Sequence, residues 1–199
     1  MKHLNDAMNE ILKSISDAIR QIDPREIEDF VVELLRAREE GRRVLVVGAG
    51  RSGLIGRAFA MRLMHLGFNV YVMGETISPS VVDGDICMVI SGSGSTTIPT
   101  AVAEIAKKLG VKVLAVTSNP NSPLGKTADL TVVVPGRSNV AMEEEYHSRQ
   151  LLGEHESLTP MGTLFENSCM VFLDGLIVEL MDRLKVSEDE MKRRHAAIE

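Results

Sequence analysis

Tryptophan is missing from this chain, and aromatic residues of all kinds reach only 4%. A core without large rings must be filled by aliphatic side chains and methionine, and 11 methionines are present. Cysteine is scarce as well: Cys87 and Cys169 are the two, and both fall inside apolar patterns. That excludes a disulfide framework and suits a reducing compartment. No apolar run approaches the roughly 20 residues of a membrane span. The charged first turns lack the apolar stretch of a signal peptide. A cytoplasmic protein with no membrane partner is therefore expected. Positive charge is also in deficit, with 22 Lys and Arg against 28 Asp and Glu, a formal net charge of −6. This argues against nucleic acid as a partner, while leaving room for a local cationic pocket. What remains, 199 residues with 44% hydrophobic and 25% charged, fits one globular domain with appended helices.

The chain opens with Leu4, Met8, Ile11, Ile15, Ala18, Ile19 and Ile22 at helical spacing. Their narrow seam suits packing on a partner helix as well as on the domain itself. Asp23-Pro24-Arg25-Glu26 marks a second helix, with Asp23 as N-cap, Pro24 at N1 and Glu26 at N3, running to Gly41. Strands and helices then alternate. Strands are expected at 44–47, 69–73, 86–90, 111–116 and 130–134. Helices are expected at 52–66, 97–109 and, briefly, 122–126. The strands are short, continuous and β-branched, as in a parallel sheet covered on both faces. Five of them with helical crossovers predict an open, doubly wound α/β fold of three layers, α/β/α. Residues 135–158 form a polar, weakly periodic loop. Thr159-Pro160 is expected to start a long C-terminal helix, apolar over much of its circumference and buried between the sheet and another subunit. Ser187 and Glu190 have capping-box spacing and start a last short helix. The division is thus N-terminal helices over 1–41, a parallel core over 42–134, the loop, and C-terminal helices over 159–199.

Two strand-to-helix loops carry the chemistry. The richer one is Ser91-Gly-Ser-Gly-Ser95-Thr96, directly after an apolar strand. Its glycines let the backbone close on a ligand, and the helix start adds N–H donors and about half a positive charge. Ser91, Ser93, Ser95 and Thr96 supply hydroxyls. The loop suits a phosphate monoester, and the lack of a lysine excludes the nucleoside-triphosphate loop. The other, Gly48-Ala-Gly50-Arg51-Ser52-Gly53, matches the dinucleotide fingerprint G-x-G-x-x-G. Glu75 lies 22 residues on, where a ribose-binding acid belongs. Against dinucleotide binding stand Arg51 and Ser52, which suit a compact anion, and the absence of room for a separate substrate domain. A tight turn with no ligand is the plainest reading of either loop alone. In an open sheet both loops lie at the carboxyl ends of their strands, where ligands bind. Together they describe a pocket for a small phosphorylated molecule.

This arrangement resembles the sugar isomerase (SIS) domain family. Within that family, the stretches from Gly48 to Leu54, from Ala58 to Phe68 and from Val72 to Glu75 are similar to the 6-phospho-3-hexuloisomerases. So are Thr159-Pro-Met-Gly-Thr-Leu-Phe-Glu166 and the tail from Arg194 to Glu199. The resemblance covers essentially the whole chain. One departure stands out: family members commonly carry a glutamate where this chain has Ser95. The resemblance implies interconversion of D-arabino-hex-3-ulose 6-phosphate and D-fructose 6-phosphate through a cis-enediol, with no redox cofactor and no metal. It implies a phosphorylated hexulose substrate and self-association as a dimer or tetramer.

On this reading the substrate is held by Arg51, Ser52, Ser91, Gly92, Ser93, Gly94, Ser95 and Thr96. Glu166 is the general base, since a carboxylate base works best when partly stripped of water and Met161, Leu164 and Phe165 flank it. Outside the resemblance, a solvated helix glutamate is the ordinary reading. His195 is the second catalytic candidate, implied to reach the site of a neighbouring subunit, against the ordinary reading of a surface histidine near a chain end. His65 reads as a buried structural or subunit-interface residue. His147, His155 and Glu143 to Glu145 fit no metal-ligand template and read as a solvated loop. Arg137, just after the fifth strand, stays undecided. A non-catalytic phosphosugar sensor of the same fold is the alternative. Such proteins usually carry a DNA-binding or other extra domain, which this sequence does not show.

Overall fold

The computed structural model describes residues 1–136 and 158–195. Its elements in chain order are α1 (Lys2–Gln21), α2 (Pro24–Glu39), β1 (Arg43–Gly48), α3 (Gly50–His65), β2 (Asn69–Val72), β3 (Ile86–Ile90), α4 (Thr97–Lys108), β4 (Lys112–Thr117), α5 (Pro123–Thr127), β5 (Leu130–Val133), α6 (Thr163–Leu184) and α7 (Glu188–Arg193). The five strands are all parallel, in the order β2-β1-β3-β4-β5. The expected three-layer α/β/α fold is therefore observed, and the strand order reverses direction between β1 and β3.

The alternation within each strand sorts the core into two layers. In β3 every residue is buried, yet Ile86, Met88 and Ile90 face one layer and Cys87 and Val89 the other. The first layer is the larger. It holds Phe30, Val31 and Leu34 of α2, Phe59 and Leu63 of α3, and Phe172, Leu173 and Leu176 of α6. The second holds Ala103 and Ala106 of α4 and Leu124 of α5. All five phenylalanines are buried on the first side, which is how a core without tryptophan is filled.

Local signals place the helix ends. Asp23 caps α2 by accepting from the Arg25 N–H, and Ser187 and Glu190 close a reciprocal capping box on α7. Glu26 turns elsewhere: its carboxylate accepts from the Val133 N–H at 2.9 Å, covering the free edge of β5. One expected boundary is corrected. The long helix begins at Thr163, not at Thr159-Pro160. Gly162 adopts φ +92°, a left-handed conformation that breaks the helical path, and the preceding segment folds as a turn with the Thr163 N–H on the Pro160 carbonyl. Glu166 thus sits in the first turn of α6. On the seam of α1, Ala18 and Ile22 are buried, whereas Leu4, Met8 and Ile19 are exposed.

Candidate active site at the strand switch point

β1 and β3 are paired so that Gly48 lies opposite Ile90. Their carboxyl ends are level, and the two loops that follow run side by side. Between them lies a cavity of about 410 Å³, in the range of small-molecule sites. Its walls come from three places in the chain: Arg51 and Ser52 in the first turn of α3; Ser91, Gly92, Ser93 and Thr96 before α4; and Met161, Gly162, Phe165 and Glu166 at the start of α6.

Three helices therefore aim their N-termini at one space. None of the three has a side-chain cap: Ala49, Thr96 and Gly162 occupy the cap positions without capping hydrogen bonds. Away from the cavity, α2, α5 and α7 are capped by Asp23, Ser122 and Ser187, while α1, which starts after Met1, has no side-chain cap. Uncapped first-turn N–H groups are donors in search of an acceptor, and their dipoles favour an anion. The hydroxyls add to this. Ser91 Oγ donates to Thr96 Oγ1 at 3.2 Å, and Ser93 Oγ lies 3.5 Å from the same oxygen. Sequence reasoning missed α6 as the third contributor. Glu166 is expected at the site from the sequence, but nothing adjacent to Gly162 marks it as the left-handed residue from which the helix starts.

Glycines set the close approaches. A Cβ on Gly92 would lie 2.8 Å from the Phe165 ring, and one on Gly136 would lie 2.5 Å from Phe165 Cβ. The buried Phe165 is thereby wedged between the loop after β3 and the segment after β5, which fixes the turn bearing Glu166. Gly94 is left-handed, and its carbonyl accepts from the Leu124 N–H. Gly94 and Ser95 do not line the cavity: Gly94 shapes the loop, and Ser95 is exposed with its N–H directed at Ser93 Oγ, 3.3 Å away.

The charges in the lining are one cation and one anion among the described residues, and they are paired. Arg51 Nε donates to the Glu166 carboxylate. The glutamate side chain is 12% exposed and the arginine 63%. Deeper in α6 the Cys169 thiol is pushed up to about 12 by burial, with the Glu166 charge adding to it.

His195 lies elsewhere. Its ring stands 4.9 Å from that of His65, which is buried, at the far end of α3. The Arg194 guanidinium donates to the His65 carbonyl at 3.0 Å. The 16 residues of α3 put roughly 24 Å between its two ends, so His195 does not meet Glu166 within one chain. Arg137, Glu143 to Glu145, His147 and His155 lie outside the described residues. Among the described residues, no group of three or more His, Cys, Asp or Glu is placed to hold a metal ion. No described helix is long and apolar enough to cross a membrane.

The dinucleotide fingerprint is explained by packing. A Cβ on Gly48 would meet Gly53 N at 2.9 Å, and one on Gly53 would meet Gly48 O at 2.8 Å. The glycines are needed for the strand-to-helix turn itself. Glu75 is engaged by Arg57 and opens onto a separate surface hollow.

The SIS domain profile matches residues 38–149, more than half of the chain. This protein belongs to the SIS domain family. An Aeropyrum pernix protein with no descriptive name is 53% identical over 96% of this chain and 91% of its own length. The 3-hexulose-6-phosphate isomerase of Bacillus subtilis is 35% identical over 96% of both chains. A solved Methanococcus jannaschii protein, for which a 3-hexulose-6-phosphate isomerase function was inferred, superposes with a TM-score of 0.76 at 33% identity. That match covers 100% of each chain. The resemblance to the 6-phospho-3-hexuloisomerase branch of the SIS family, expected from the sequence, is thus borne out.

Proposed function

We propose that this SIS-domain protein interconverts D-arabino-hex-3-ulose 6-phosphate and D-fructose 6-phosphate, with Glu166 as general base. The observation that carries the reading is the convergence of three uncapped helix N-termini and one glutamate on a single cavity. The N-termini and the hydroxyls of Ser91, Ser93 and Thr96 bind the phosphate, together with Arg51 and Ser52. Gly94 and Ser95 hold the loop in shape and contribute backbone. The name of the Bacillus subtilis relative supports the substrate.

Starting from fructose 6-phosphate, Glu166 removes the proton from C3, next to the C2 carbonyl. The electrons form a C2–C3 double bond, giving a cis-enediol once O2 is protonated. Return of a proton to C2 and loss of the O3 proton leave the carbonyl at C3. Carbon C2 is reduced as C3 is oxidised, so the step balances without an external oxidant or reductant. The 12% exposure of Glu166 keeps most bulk water off the base.

His195 assists from a neighbouring subunit, moving protons between O2 and O3. Self-association is supported by the exposed Leu4, Met8 and Ile19 of α1 and the exposed Val171 and Val178 of α6. An apolar hollow lined by Ile19, Ile27, Val171 and Leu176 runs between these helices and α2. The protein works in the cytoplasm as a metabolic enzyme.

The test is Glu166→Gln. Turnover, read by coupling fructose 6-phosphate to a dehydrogenase, should vanish. Binding of fructose 6-phosphate should stay within about tenfold, which is about 1.4 kcal/mol. Near-normal activity in that variant would remove Glu166 from the mechanism.

A further inference from the structure

We infer that Arg51 is a substrate-operated latch on Glu166: in the free enzyme it occupies the base, and the substrate phosphate draws it away. The inference rests on the proposed isomerase reading and deepens it. Three observations carry it. Arg51 donates to Glu166 across 115 positions of sequence, so the pairing is made by the tertiary structure and not by neighbouring residues. The two ends of the pair differ in freedom: the carboxylate is 12% exposed and anchored on a helix turn wedged by Phe165, whereas the guanidinium is 63% exposed on a long side chain. And Arg51 lines the same cavity as Ser91, Ser93 and Thr96. The arginine is the part that can move, and its two destinations share one cavity.

The competition between them is governed by charge and shape. Glu166 offers one negative charge. A phosphate monoester at neutral pH offers nearly two, with three acceptor oxygens that match the guanidinium fork. Three helix N-termini already hold that phosphate in place, so its claim on Arg51 does not depend on Arg51 alone. When the arginine leaves, both carboxylate oxygens are free to accept the C3 proton. An unphosphorylated sugar in the same cavity leaves the latch closed. The phosphate then contributes to turnover as well as to affinity, which is how binding energy from a remote group raises kcat.

The latch makes an unusual pair of predictions of opposite sign for Arg51→Met. Loss of phosphate contact should lower exchange at C3 of fructose 6-phosphate in D2O by at least about a hundredfold, as expected for a lost charge-assisted clamp. Exchange at C3 of unphosphorylated D-fructose should rise, because nothing occupies the base. The exposure of the guanidinium limits that rise to about fivefold. In the wild type, inorganic phosphite should stimulate exchange of D-fructose, and in Arg51→Met it should not. Proton NMR reads all three. An unchanged or lower rate on D-fructose in Arg51→Met overturns the latch, because an arginine that only binds phosphate gives that result. Undiminished stimulation by phosphite in the variant overturns it as well. Glu166→Gln, run beside it, separates the two levels. If that variant still exchanges fructose 6-phosphate, the base assignment fails. If it is dead while Arg51→Met shows no rise on D-fructose, the assignment stands and the latch fails.

Discussion

Gly94→Ala tests how the loop after β3 is built. Gly94 has φ +62°, and an added Cβ would sit 1.9 Å from Ser122 Oγ and 2.6 Å from Ser122 Cβ. Two costs follow. An alanine in the left-handed region loses about 1–2 kcal/mol. The clash must also displace Ser122, which is buried and whose hydroxyl caps α5 by accepting from the Gly125 N–H at 3.2 Å. Losing a serine cap costs about 1 kcal/mol. The expected destabilisation is therefore about 2–3 kcal/mol, a large share of the 5–15 kcal/mol typical of a domain. Urea unfolding should show a lower midpoint with an unchanged slope. The partner variant isolates the cause. Ser122→Gly removes the clashing atoms yet keeps an acceptable cap, at a cost of a few tenths of a kcal/mol. In that background Gly94→Ala should cost only the backbone term, leaving a coupling of about 1 kcal/mol or more between the two sites. Strict additivity would refute the claim that Ser122 is what excludes a side chain at position 94. A total cost under about 1 kcal/mol would refute the backbone argument too.

Burial pushes both the Cys87 and Cys169 thiols up from 9.0 to about 12. The folded state thus holds protons that the unfolded state releases, so this contribution is intact below pH 9 and lost progressively between pH 9 and 12. At pH 10 the loss is about 1.4 kcal/mol per thiol, and the double variant Cys87→Ala, Cys169→Ala should show a flatter fall in urea stability from pH 8 to 10. An equal fall in both proteins would contradict the burial of the thiols. Deleting residues 195–199 should lower kcat, and mixing that truncated chain with Glu166→Gln subunits should restore up to about a quarter of wild-type activity, because a mixed dimer rebuilds one complete site. A mixture that stays inactive would show that the tail does not serve a neighbour.

Much of this fold can be read along the chain because its determinants are local. The period-two pattern of Ile86 to Ile90, the hydroxyl-rich loop that follows, the cap at Asp23 and the box at Ser187 each act within a few residues. The same holds for Gly48, Gly50 and Gly53, although their spacing reads equally well as a dinucleotide site until their mutual packing is seen. The start of α6 was misplaced for an equally local reason. Thr-Pro is a strong helix-start signal, and nothing adjacent reveals that Gly162 would turn left-handed with Glu166 Oε1 packed 3.1 Å from where its side chain would stand.

By itself the sequence determined the alternation of strands and helices, the parallel sheet, both glycine loops and Glu166 as a carboxylate near an apolar cluster. The tertiary structure decided how these meet. Strand order β2-β1-β3-β4-β5 sets the loops after β1 and β3 side by side, and the return of α6 adds a third helix N-terminus and Glu166. It also joined Arg51 to Glu166, and it placed His195 beside His65 at the opposite end of α3. Backbone preferences act over one or two turns of chain. Which residues come together from 115 positions apart is set by how the crossovers bury the two faces of the sheet.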